Sequence, residues 1–212
     1  MSFDIHVSKR IGDAEIACRI EAGEGLTVLF GPSGAGKTSV LNMVAGLIEP
    51  DQGHIRIGPV TLYDSALGID TPPELRCTGY VFQEPRLFPH LRVAANLRYG
   101  RRIVPTARQG GAASIEMPEA EVIALLGIAP LLDRWPRTLS GGEARRVAIG
   151  RALLSDPAFL LLDEPLSSLD RARREEIMRL IERLRDALGL PILMVTHDRE
   201  EAARLGSRIV EI

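Results

Sequence analysis

Leu26-Thr27-Val28-Leu29-Phe30-Gly31-Pro32-Ser33-Gly34-Ala35-Gly36-Lys37-Thr38-Ser39-Val40-Leu41 sets the architecture of this chain. Leu26 to Phe30 is an almost unbroken apolar run, the mark of a strand buried on both faces. A glycine-rich turn follows at once, and Ser39 to Ala45 then reads as a helix closed by Gly46. Glycines let the backbone approach a ligand with no side chain in the way. Successive N–H groups then point inward, and the helix N-terminus adds partial positive charge, so the turn is built for an anion. Residues 31–38 fit G-x-x-x-x-G-K-[ST], a phosphate-binding loop. In that pattern Gly31, Pro32, Ser33, Gly34, Ala35 and Gly36 line the cradle, with Ser39 just beyond it, Lys37 would bridge the β- and γ-phosphates of a nucleoside triphosphate, and Thr38 would ligate Mg2+. The competing reading is a plain glycine turn with an exposed lysine.

Two more apolar runs lie downstream. Phe159-Leu160-Leu161-Leu162 ends in Asp163 and Glu164, and Ile192-Leu193-Met194-Val195 ends in Thr196 and His197. Asp163 is placed to hold Mg2+, and Glu164 to polarise the attacking water as general base. Without the cradle, such an acid pair would as often be a solvated strand end. Ile177, Leu180, Ile181, Leu184 and Leu188 give residues 171–188 the period of an amphipathic helix. Helical spacing also marks 119–126 and Ser140 to Ser155. Residues 3–7 and 14–20 alternate as half-buried strands do, 53–63 suggests a hairpin, and 101–119 reads as a loop. Buried strands alternating with helices predict an α/β fold with a mainly parallel sheet, its ligand beyond the strands' C-terminal ends.

The bulk numbers agree. With 212 residues, 45% hydrophobic and 25% charged, the chain is of a size and mixture for one globular domain. A net charge of −2 argues against a nucleic-acid partner. Cys18 and Cys77 have no metal or redox spacing, and no apolar stretch is long enough for a membrane span or a signal peptide.

Together these residues resemble the ATP-binding cassette (ABC) ATPases, over essentially the whole chain. Beyond the two nucleotide motifs, Gln83 after Gly79-Tyr80-Val81-Phe82 matches the family's glutamine loop, Leu139-Ser140-Gly141-Gly142-Glu143 its signature, and His197 its switch histidine. Alone, each has a bland reading: a surface glutamine, a helix cap, a structural histidine. Ser167-Ser168-Leu169-Asp170 resembles the loop after the catalytic glutamate, with Ser168 where Ala is usual. The resemblance implies a P-loop NTPase fold with an N-terminal antiparallel β-subdomain and an inserted α-helical subdomain. Residues 1–83 and 156–212 would form the core lobe and 84–155 the helical lobe. It also implies a homodimer with two ATP molecules, each between one copy's cradle and the other's Ser140, Gly141 and Gly142. His197 would contact the γ-phosphate, and Gln83 would touch Mg2+ and the water and couple them to a membrane partner.

Residues 79–91, 96–100 and 124–134 further resemble the importer branch, the molybdate subunits most closely, with sulfate or another anion as the alternative solute. That branch implies integral permease subunits, an indirect periplasmic or surface solute-binding protein, and a place on the cytoplasmic side of the membrane. Phe88 and Leu91 would floor the groove for the permease, with Glu84 and Arg86 at its rim. The family's adenine-stacking aromatic has no counterpart at Ser8-Lys9-Arg10-Ile11, so an aliphatic or arginine contact is expected there. The family's importer ATPases usually continue into a regulatory β domain; this sequence stops at Ser207–Ile212, within a strand pattern, so that domain is expected to be absent. A non-transport ABC protein and an exporter cassette are the remaining readings. The first would carry coiled-coil or zinc insertions, the second spanning segments, and neither is visible here.

Overall fold

The structure, a computed structural model, describes residues 2–100 and 117–212. Strands β1 (Phe3–Ile11), β2 (Ala14–Ala22), β4 (Gln52–Ile57), β5 (Val60–Asp64) and β6 (Ile69–Asp70) form an antiparallel sheet in the order β2-β1-β4-β5-β6. Strands β3 (Leu26–Phe30), β7 (Thr78–Val81), β8 (Phe159–Asp163), β9 (Ile192–Thr196) and β10 (Arg208–Glu211) form an all-parallel sheet in the order β10-β3-β9-β8-β7. Helix α1 (Lys37–Ala45) follows β3. Helices α2 (Val93–Arg98), α3 (Glu119–Leu126) and α4 (Gly141–Leu153) lie between β7 and β8, and α5 (Arg171–Leu188) and α6 (Arg199–Leu205) flank β9.

The alternation of side chains along a strand builds three layers from the parallel sheet. Phe159, Leu161, Leu193 and Val195 face one core, filled by α1 and by Phe3, Ile5, Val7 and Ile20 of the antiparallel sheet. Leu160, Leu162, Ile192 and Met194 face the other, filled by α2 to α6. All these strand residues are at most 1% exposed, so the sheet is covered on both sides, as its continuous apolar runs require.

Most expected elements lie where the sequence places them, with two differences. Helix α1 opens at Lys37 instead of Ser39, because Gly36 in the left-handed region (φ 91°) turns the chain into the helix there. Strands β1 and β2 run on to Ile11 and Ala22 and pair as far as Ile11↔Ala14. The alternating pattern misses residues 8–11 because Ser8 to Ile11 are exposed or half-buried whichever face they take. The loop expected over 101–119 lies outside the described residues as far as 116, and Glu119 already belongs to α3.

Candidate functional site

Side-chain parity positions the site. Asp163 continues the register of Phe159 and Leu161 and therefore faces α1. There the Thr38 hydroxyl, in the first turn of α1, donates to Asp163 Oδ1 at 2.9 Å. Burial pushes the Asp163 carboxyl above the usual carboxylate range, while the Thr38 hydrogen bond and the nearby Arg145 and Arg86 guanidinium groups pull the other way. Thr196 continues the opposite register, with Ile192 and Met194, so that β9 delivers His197 just past its end.

The cradle is wrapped tightly. Gly36 needs to be glycine twice over: its φ is 91°, and a Cβ would sit 2.9 Å from Ile16 Cδ1 of β2. Lys37 is only 4% exposed, and its ammonium donates back to the carbonyls of Gly31 and Pro32 at 2.8 and 2.7 Å. The ammonium is thus folded back onto the loop's own carbonyls and is not extended into solvent. Ile16 is the aliphatic side chain nearest the cradle's last glycine; Ile11, 42% exposed, lies beyond it on the neighbouring strand.

Glu164 is the centre of a second group. It has φ 41°, a conformation glutamate adopts only under constraint. Its N–H donates to Val195 O at 3.1 Å, and its carbonyl accepts from the Ser167 N–H and hydroxyl. The side chain is thereby held between two partners. Gln83 Nε2 donates to Oε2 at 3.4 Å, and His197 Nδ1 stands 3.1 Å from Oε1. A carboxylate only accepts, so Nδ1 is the donor in this contact. Thus the ends of β7, β8 and β9 and the start of α1 bring Thr38, Asp163, Glu164, Gln83 and His197 together.

Ser140, Gly141 and Gly142 stand apart from that cluster. Ser140 caps α4: its hydroxyl accepts from Glu143 N–H at 3.3 Å, and the Glu143 carboxylate accepts from Ser140 N–H at 2.7 Å. A Cβ added to Gly141 or Gly142 would find only ordinary contact, 3.5 Å from Leu169 and Arg173. Among the described residues nothing therefore demands glycine at either position.

Several supporting residues escape sequence reading. Arg145 is 3% exposed and donates to Phe82 O at 2.8 Å, just before Gln83. Arg151 donates to Arg86 O and Pro85 O, just after it. Tyr80 stacks on Phe82, ring centroids 4.0 Å apart, and donates to Asn42 of α1 at 2.9 Å. Arg76, 2% exposed, donates to Met43 O and Val44 O at the C-terminal end of α1. Asn96, fully buried, ties down the loop of Phe88 and Leu91 by donating to both carbonyls and accepting from Phe88 N–H.

A phosphate-binding loop, an acid pair two strands over in the same sheet and a serine-capped helix that opens on two glycines define the ATP-binding cassette class. The ABC transporter family matches residues 14–167, and the chain belongs to that family. It is 54% identical over 206 residues to the molybdenum import ATP-binding protein ModC of Brucella suis, covering 97% of this chain and 55% of that protein. The ModC of Mesorhizobium japonicum is 51% identical over 210 residues, covering 99% and 55%. The chain spans about half the length of the curated relatives it matches. Among solved structures, a post-hydrolysis dimer of the ATP-binding cassette MJ0796 bound to ADP and Pi superposes with a TM-score of 0.73 at 28% identity, covering 100% of this chain and 93% of that one. No helix among the described residues is long and apolar enough to cross a membrane.

Proposed function

We propose that this chain is the ATP-hydrolysing subunit of an importer, and that its solute is molybdate. The observation that carries the hydrolytic reading is Glu164, held between Gln83 and His197 one residue beyond the Asp163–Thr38 contact. Backbone N–H groups of residues 33–39 and the Lys37 ammonium bind the triphosphate. Thr38 and Asp163 fit Mg2+, because both offer hard oxygen and stand in contact. When bound, the ion would neutralise charge on the β- and γ-phosphates. Glu164 then takes the proton of the attacking water, while His197 and Gln83 fix the direction of its carboxylate and of the water. Burial works against the charge on Asp163, and Arg145 works for it.

The signature supports a dimer. Glycine is a poorer helix former than alanine, by about 1 kcal/mol in a helix interior, and among the described residues nothing asks for it here. Bare N–H groups at that turn suit an anion brought by a second copy, with ATP clamped between the two. On this reading residues 84–155 form a lobe that carries the signature and meets permease subunits at the half-buried Phe88 and Leu91. The chain then works on the cytoplasmic side of the membrane, with a solute-binding protein acting on the far side. The molybdate assignment rests on the relatives' names.

Two measurements test this. Lys37→Ala should weaken ATP binding at least tenfold by calorimetry; unchanged affinity refutes the cradle. In vesicles with the permease subunits, ATP should drive uptake of molybdate; uptake of sulfate but not molybdate would reassign the solute.

A further inference from the structure

On the face of the parallel sheet opposite Asp163, a knot of charge lies under His197. Thr196, 2% exposed, turns its hydroxyl toward α5 and α6. That hydroxyl donates to Glu201 Oε2 at 2.5 Å and accepts from Asp198 N–H at 3.0 Å. Glu201 is 4% exposed, and its other oxygen accepts two hydrogen bonds from Arg174, from Nε at 2.8 Å and from a terminal nitrogen. The same terminal nitrogen donates to Asp198 Oδ2 at 2.5 Å. Asp198 Oδ1 then accepts from Glu200 N–H and Glu201 N–H and so caps α6. The residues on both sides of His197 are therefore fixed by the knot, whereas His197 itself is exposed.

Arg174 lies in the first turn of α5, just after the loop that leaves Glu164. Among the described residues it is the only cation bonded to Glu201. A carboxylate so buried is stable as an anion only while paired. Beside the knot opens a cavity of about 570 Å³, lined by Arg174, Asp198 and Glu201 among others. Without the guanidinium, Glu201 has water within reach, and moving toward it would release Thr196 and Asp198.

We infer that Arg174 is a positioning residue for His197: through Glu201, Asp198 and Thr196 it holds the backbone that sets the imidazole against Glu164. It also ties that imidazole to the helix that follows the Glu164 loop. This rests on the reading of Glu164 and His197 as the hydrolytic pair, and nothing in the pattern of charges along α5 marks Arg174 out from its neighbouring arginines.

The test compares Arg174→Met and Arg174→Lys, each in the wild-type and His197→Ala backgrounds. Because misplacing a reacting group by about 1 Å can cost about 10²-fold, Arg174→Met should lower kcat for ATP at least tenfold with KM within twofold. In the His197→Ala background it should lower kcat no further, and Arg174→Lys should recover part of the loss. The imidazole 15N resonances of His197 in the nucleotide-free chain should lose the pattern of an Nδ1–H donor to a carboxylate. Should Arg174→Met fail to fold, the Arg174→Met/Glu201→Gln pair removes both charges and should show the same resonance change. An equal kcat loss with and without His197, or unchanged His197 resonances in a folded variant, overturns the proposal. Absence of ATP hydrolysis by the wild type would instead sink the functional reading and leave the resonances to decide this one.

Discussion

Glu164→Gln separates holding the nucleotide from cleaving it. The substitution is isosteric, so the side chain keeps its place between its two partners. His197 Nδ1–H, 3.1 Å away, donates to an amide oxygen as it does to a carboxylate oxygen. The Gln83 contact, already long at 3.4 Å, is the one that is lost or inverted. A weak hydrogen bond of that kind is worth less than about 1 kcal/mol, so folding stability should hardly move. The backbone at φ 41° is no harder for Gln than for Glu. Removing the general base, by contrast, should slow hydrolysis by about 10²–10⁴-fold, which is about 3–5 kcal/mol of barrier. ATP should bind at least as tightly, because one negative charge near the triphosphate is gone. Single-turnover hydrolysis measures the first effect, and size-exclusion chromatography in Mg-ATP should show a trapped dimer. Hydrolysis within threefold of wild type, or a nucleotide-loaded chain that elutes only as monomer, would refute the reasoning.

Three further outcomes are expected. Arg76→Met should lower stability by about 3–5 kcal/mol in urea titration, because Met43 O, Val44 O and Thr71 O lose their buried donor and Asp70 its partner; a loss under about 1 kcal/mol would show that water replaces the guanidinium. Asp163→Asn should raise the melting temperature of the nucleotide-free chain at neutral pH while abolishing hydrolysis. The sign follows from burial: a carboxyl whose folded pKa is raised helps stability below its unfolded value of about 3.9 and loses that help as pH rises through the folded one, so the gain should shrink toward acid pH. An equal gain at pH 4 and pH 8 would contradict it. Gly142→Ala should leave ATP binding by single chains intact and cut turnover at least tenfold; unchanged turnover would remove the reason for reading the signature as a phosphate contact.

The parallel sheet was legible because each of its central strands is an almost unbroken apolar run, the pattern of burial on both faces. The cluster was legible because polar residues stand just past those runs: Thr38 after one, Asp163 and Glu164 after the next, His197 after the third. The ends of α5 were also written locally, in Asp170, whose carboxylate accepts from Arg173 N–H, and in Gly189 at φ 59°. What the sequence hid is buried charge. Arg76, Arg145, Arg174 and Glu201 stand in stretches where a charged residue ordinarily means a solvated face, and pattern reading assigns them there. Their roles depend on carbonyls and carboxylates far away in the chain, which the fold alone brings within reach. The same holds for Asn96, whose partners are the backbone of the loop before it.

Ser140-Gly141-Gly142 carries a practical lesson for anyone improving this protein by selection. A library scored for heat resistance alone would favour alanine at 141 and 142, since each adds helix propensity and meets no obstacle among the described residues. On the proposed reading such a campaign would deliver a sturdier domain with much lower turnover, because the constraint on those two positions would come from a second copy that closes for only part of each cycle.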